Sequence, residues 1–322
     1  MERALLALSE KQNENQGEET ASSSKGKRIR LKDGDIAVYC RKHNIRTITE
    51  LLADAETRIQ EGDDTLHNYI HSRTLKQLSE LLTKDEMMKN ARSKVEGMNV
   101  SRMNVIRSYR EKDCVVACNG VWYQCAMDIL RRSEINKYVF ADAIREVVEK
   151  GRGRKRNIFL LGPTSSGKTF LLKPLLHIFP YHFTNPAASS FGWLGAEEAN
   201  VILLNDFRWE NKRNGGSIAW GDLLNLLEGM ETKLPAPMNS FAKHIVIKTD
   251  VPIFGTGPDR LKWYSNQSEE PRKSKHAKED AQMEERWKTF ELKHSFTGKE
   301  RIADIEPCGS CFAKMFFLGY DE

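Results

Sequence analysis

No uncharged apolar run in the 322 residues approaches the roughly 20 needed to cross a bilayer. No apolar amino-terminal segment resembles a secretory signal. The expectation is a soluble, intracellular protein, for which any membrane role needs a partner. Cysteine is also scarce: Cys40, Cys114, Cys118, Cys125, Cys308 and Cys311 are irregularly spaced, which gives no disulfide framework and points to reduced thiols. Nor is there a large excess of either charge. A formal net charge of +5 has the sign that suits nucleic acid but is too small to demand it. What remains is a polar, globular composition with length enough for one large domain or two small ones.

Residues 9–32 hold almost no large apolar side chains, too few to offset the entropy of ordering, so 1–32 reads as a disordered tail. The tail ends in Lys25-Gly26-Lys27-Arg28-Ile29-Arg30-Leu31-Lys32, which is a nuclear-import signal, a phosphate-binding arm or a solvated charge run. On the first of these readings the protein is nuclear. From 33 to 150 the pattern is helical. Ile48, Leu51 and Leu52 share one face and Leu75, Leu78, Leu81 and Leu82 another, with Thr47 and Thr49 as candidate caps and Gly62-Asp63-Asp64 between the segments. Trp122, Ile129, Leu130, Phe140, Ile144, Val147 and Val148 continue at helical intervals as far as the basic turn at 151–156.

The composition then changes. Asn157 to Leu161, Val201 to Leu204, Ile245 to Ile247 and Pro252 to Phe254 read as strands, alternating with helical segments near 170–179 and 220–227. This alternation predicts an α/β domain over 151–300, with an exposed loop at 265–280 and a tail at 301–322.

Gly162-Pro163-Thr164-Ser165-Ser166-Gly167-Lys168-Thr169 fits G-x-x-x-x-G-K-[ST] and follows an apolar strand, the context that this phosphate-binding motif requires. The two glycines let successive N–H groups converge on phosphate, and the following helix adds its positive end. Lys168 is expected to reach the β and γ phosphates of ATP, and Thr169 to present its hydroxyl to Mg²⁺. Val201-Ile202-Leu203-Leu204-Asn205-Asp206 is an apolar strand that ends in a carboxylate. Asp206 is the second candidate metal residue, with a turn-capping role as the alternative.

Four features together resemble a superfamily 3 helicase, the ATPase class of parvovirus non-structural proteins and papillomavirus replication proteins. They are the 162–169 loop, Phe191-Gly192-Trp193-Leu194 before the 201–206 strand, Pro252-Ile253-Phe254-Gly255-Thr256-Gly257, and Glu285-Arg286-Trp287-Lys288-Thr289-Phe290-Glu291-Leu292. The resemblance implies an AAA+-like P-loop NTPase core and a homo-oligomeric ring, a hexamer in the family, with the helices before Gly151 as its collar. It also implies single-stranded DNA as a partner, Thr256 as the γ-phosphate sensor and Arg286 as an arginine acting on the neighbouring subunit's nucleotide.

The chain departs from the pattern at several places. Asn205 stands where the family has the first acid of a pair, and Gly257 and Pro258 follow Thr256 where an Asn is usual. Met238 occupies the place of the DNA-contacting lysine, with Lys233 and Lys243 as out-of-register substitutes.

The His-hydrophobic-His pair of the viral endonucleases is absent. His67 and His71 have i, i+4 spacing but no third ligand, and read as surface or packing residues. Cys308-Gly309-Ser310-Cys311 finds no complement at zinc spacing and reads as a pair of reduced structural cysteines, while Phe312, Phe316, Phe317 and Tyr320 read as a docking segment for the core. Three functions follow in order: a helicase-like DNA motor driven by ATP, a nucleotide-binding assembly or regulatory protein with little turnover, and a P-loop small-molecule kinase with a lid at Arg272 to Lys278.

Overall fold

The computed structural model describes residues 31–187, 189–209, 218–238, 244–262, 270–297 and 305–320. Lys243 and most of the basic amino-terminal stretch lie outside the described residues. The chain forms two compact units that divide at Val95 and Glu96. The boundary falls inside the helical region expected over 33–150, so the helices from Arg102 onward belong with the strands.

The first unit contains α1 (Asp33–Lys42), α2 (Ile48–Gln60), α3 (Thr65–His71) and the start of α4 (Leu75–Asn99). Thr47 caps α2 in a reciprocal box with Glu50. Ile36, Leu51, Leu66, Ile70, Leu78 and Leu82 make the core, whereas Leu52 and Leu75, expected on the buried faces, are exposed. The rings of His67 and His71 meet at a tilt of 48°, with centroids 4.1 Å apart.

In the second unit, α5 (Arg102–Arg110), α6 (Val121–Arg132) and α7 (Lys137–Lys150) precede β1 (Asn157–Leu161). There follow α8 (Lys168–Leu172), α9 (Pro174–Ile178), β2 (His182–Phe183), β3 (Val201–Leu204), α10 (Trp220–Glu228), β4 (Thr232–Pro235), β5 (His244–Ile247), β6 (Ile253–Gly257), α11 (Glu270–Glu284), β7 (Trp287–Glu291) and α12 (Gly309–Phe316). The five strands β2-β3-β6-β1-β7 form one sheet in that order, every pair parallel, and β4 and β5 pair separately as an antiparallel hairpin.

Alternation along β1 sends Ile158 and Leu160 to a face covered by α5 to α9 and α12, and Phe159 to the opposite face with α10 and the hairpin. Because the strands are parallel, the ends of β1, β3 and β6 open on the same edge of the sheet.

Three expectations are corrected. Much of the 265–280 segment is helical: α11 is held on one side by buried Met283 and by Trp220, whose indole N–H donates to Glu279 at 2.8 Å. The tail at 301–322 contains a helix, α12, which the sequence did not announce, while Phe312, Phe316 and Phe317 are buried in the main core as expected of a docking segment and Tyr320 is exposed. The Cys308-Cys311 pair does find a complement, Cys114 and Cys118, from the other end of the unit.

Candidate nucleotide-binding site

The 162–169 loop leaves β1 with a left-handed backbone at Ser165 (φ 60°) and at Gly167 (φ 88°). The surroundings also dictate glycine at both ends. A Cβ on Gly162 would lie 2.3 Å from the Leu292 carbonyl oxygen, and one on Gly167 would lie 2.7 Å from Cδ1 of Ile129 on α6. The loop is braced from two sides. The Gly162 N–H donates to the Gly257 carbonyl at the end of β6, and the Ser295 hydroxyl and Phe296 N–H after β7 donate to the carbonyls of Thr164 and Ser165.

Lys168 folds over this turn. Its ammonium donates to the Gly162 and Pro163 carbonyls at 2.6 Å each and approaches the Ser166 hydroxyl at 3.3 Å. Burial lowers its pKa below the usual lysine range, and the Asp206 carboxylate opposes that shift. The ammonium is thus held within the loop by weak carbonyl partners that a phosphate would outcompete.

Beside it, the Thr169 hydroxyl donates to Asn205 Oδ1 at 2.6 Å, and the Thr256 hydroxyl donates to the same oxygen at 3.0 Å. Thr256 in turn accepts the Asp206 N–H at 2.8 Å, and the Asn185 side chain donates to the Asn205 carbonyl. The topology explains this cluster: β6 lies between β1 and β3, so Thr256 on the middle strand reaches the chain end that carries Asn205. Asn205, rather than Asp206, therefore touches Thr169. Asp206 sits in a left-handed turn (φ 50°) with an exposed carboxylate 3.7 Å from Arg208.

The oxygens of Thr169, Asn205 and Asp206 make a hard-donor set that suits Mg²⁺, with one carboxylate instead of two. Gly257 also has a physical reason. A side chain there would press on Phe159 and on the Asp259 carbonyl, 3.0 and 3.1 Å from its Cβ.

The other expected residues are not brought to the cradle. Arg286 immediately precedes β7, whose first residue, Trp287, pairs with Asn157 at the start of β1, the opposite end of that strand from the loop. Its guanidinium is bonded inside its own chain to Glu228 at 3.0 Å, the Leu224 carbonyl at 3.0 Å and the Gln282 carbonyl at 2.6 Å, and the side chain is 16% exposed. Within the single chain it ties α10, α11 and the start of β7 together. Lys233 is exposed on the hairpin, 3.7 Å from Glu231, and Met238 beyond it is almost fully exposed.

Asn185 and Ser295 hold the site, yet neither lies in a motif. A polar residue after an apolar strand was the only available signal. Arg152, read as part of a basic turn, is buried and donates to the Lys248, Leu226, Met230 and Ile247 carbonyls, with its pKa lowered by burial to about 10.

No family model and no curated protein matches the chain. Among solved structures it is similar to JC virus helicase bound to a thiazolopyridine-phenoxyphenyl acetamide, at 13% identity and a TM-score of 0.43, over 69% of this chain and 61% of that one. It is also similar to that helicase alone, at 12% and 0.43 over 83% and 78%, and to an inhibitor-bound form at 11% and 0.43 over 85% and 79%. This chain's own parallel sheet, with the 162–169 loop at its carboxyl edge, is an α/β, P-loop NTPase-like fold.

Proposed function

We propose that this protein binds and hydrolyses ATP with Mg²⁺ as a superfamily 3 helicase-like DNA motor, acting in the replication of DNA or of a virus-derived element. The observation that supports this reading best is the chain of contacts from Thr169 through Asn205 to Thr256, which ties the phosphate loop to the ends of two other strands. In the motor, Lys168 exchanges the Gly162 and Pro163 carbonyls for the β and γ phosphate oxygens, and the 162–169 N–H groups close round them. Thr169 and Asp206 would hold Mg²⁺, which would supply positive charge to offset that developing on the phosphate oxygens. Asn205 orients the Thr169 hydroxyl, while Thr256, one hydrogen bond away, registers what the cradle holds. The proposed assembly is a homo-oligomeric ring, a hexamer on the family pattern, that engages single-stranded DNA through exposed cations such as Lys233 and works in the nucleus.

Phosphate release by the full chain, measured against protein concentration with and without single-stranded DNA, tests the motor. The expected result is turnover that rises with concentration and with DNA and is absent in Lys168→Ala. A wild-type rate equal to that of Lys168→Ala under every condition removes hydrolysis from the account.

A second reading, nucleotide binding that drives assembly with little turnover, is favoured by one observation: the group on the Thr169 hydroxyl is a neutral carboxamide. Saturable ATP binding with ATP-dependent oligomerisation and negligible phosphate release would select it.

A further inference from the structure

Cys114 and Cys118 lie in the turn before α6, and Cys308 and Cys311 at the start of α12, yet their four sulfurs all fall within 4.8 Å of one another. We propose that these four cysteines bind one zinc ion as a closed structural centre. A tetrahedral zinc tetrathiolate has Zn–S distances of about 2.3 Å, which places its sulfurs roughly 3.8 Å apart. Cys311 Sγ is 3.5 Å from both Cys114 Sγ and Cys118 Sγ, on the scale of that tetrahedron and far from the about 2.05 Å of a disulfide.

Both halves of the cluster are built to present sulfur. On one side the Cys118 N–H bonds to the Val115 carbonyl and the Val121 N–H to the Cys118 carbonyl, followed by left-handed residues at Asn119 (φ 40°) and Gly120 (φ 83°). These turns fix the backbone at Cys118, whose sulfur, like that of Cys114, lies 3.5 Å from Cys311 Sγ. On the other side Cys308 is the N-cap of α12, with the Cys311 N–H directed at its sulfur at 3.5 Å.

Cys118, Cys308 and Cys311 are buried, and the cluster contains no carboxylate or imidazole. That donor set suits a structural zinc and leaves no open position for a substrate. Loading would release one proton from each thiol and give a zinc tetrathiolate of net charge −2. Its effect is mechanical: it fastens the eight-residue α12 to the helices that cover the sheet. Phe312 packs there beside Trp122, which stacks on Phe170, the residue after Thr169.

The test is elemental analysis of the full chain purified from zinc-supplemented cells and dialysed, with zinc release followed as a mercurial titrates the thiols. The expected result is about one zinc per chain, retained in Cys40→Ser and Cys125→Ser, lost in Cys308→Ser with Cys311→Ser, and weakened by tenfold or more in Cys114→Ser but rescued by Cys114→His. In the wild type, which needs no variant to fold, a strong chelator should lower Tm on the order of 10 °C. Zinc-free wild-type protein with a chelator-insensitive Tm, a Cys308–Cys311 disulfide in the native mass, or iron in place of zinc would each overturn the proposal.

Discussion

Replacing Asn205 by aspartate puts a negative charge on the oxygen that receives the Thr169 hydroxyl at 2.6 Å and the Thr256 hydroxyl at 3.0 Å. A neutral hydrogen bond contributes about 1 kcal/mol and a charge-assisted one about 1.5–3 kcal/mol, so the two contacts alone gain roughly 1–4 kcal/mol. Desolvation of the new carboxylate offsets part of that gain. The effect on a Mg²⁺ ion held as proposed is larger. Unit charges about 4 Å apart interact by about 4 kcal/mol at an effective dielectric of 20, and a dication doubles this. After solvent screening and competition from the ion's own water shell, at least about 1.4 kcal/mol should survive, a tenfold gain in Mg²⁺ affinity. The assay is the Mg²⁺ dependence of fluorescent ATP-analogue binding in wild type and Asn205→Asp. The midpoint should fall by tenfold or more. An unchanged or higher midpoint in a variant of normal Tm would refute the reasoning, because the Thr169–Asn205 contact would then lie away from the metal.

Arg286→Ala should lower stability by about 2–4 kcal/mol, visible in denaturant melts, because it strands Glu228 and two carbonyls at a mostly buried site; a normal melt with lost turnover would instead restore a role between subunits. Gly167→Ala should cost about 1–2 kcal/mol from its backbone conformation alone, with further strain against Ile129, and should weaken nucleotide binding. An unperturbed melt and affinity would count against the loop geometry. The pKa of the Tyr39 hydroxyl is pushed up to about 12 by burial and by its bond to Asp54, and that of Tyr69 likewise by burial and Asp33. Both are raised above the unfolded value near 10, so the stability they contribute is complete below about pH 10 and is lost as pH rises toward 12. Absorbance of phenolate against pH should show part of the tyrosine signal ionising late, together with loss of helix in the first unit. Simple ionisation near pH 10 of every tyrosine would contradict this.

The parts of this protein that could be read from sequence are those whose physics is local. A strand–glycine–helix run fixes the phosphate loop because its residue types and backbone needs lie within about a dozen positions. The apolar runs at 201–204 and 253–254 announced buried strands for the same reason. Long-range pairing was not legible. Arg286 looks like a free cation in sequence because Glu228, Leu224 and Gln282, which immobilise it, share no motif with it. The cysteine tetrad is split by 193 residues between Cys118 and Cys311, and its two halves have unlike spacings. The helix α11 is polar over most of its length and resembles a loop until Met283 and Glu279 find their partners. Asn205 could be seen as a departure, but only the β6-between-β1-and-β3 topology shows that it, rather than Asp206, meets Thr169.

The central claim is that the 162–169 loop is a working triphosphate cradle closed by Lys168. Titration calorimetry of ATP into the full chain with Mg²⁺, beside Lys168→Ala, tests it most directly. The account predicts one saturable site per chain that depends on Mg²⁺ and weakens about 30-fold or more when the ammonium is removed, as expected for the loss of at least one charge-assisted contact to phosphate. Equal affinity of wild type and Lys168→Ala, or no heat of binding in a folded wild type, would contradict it.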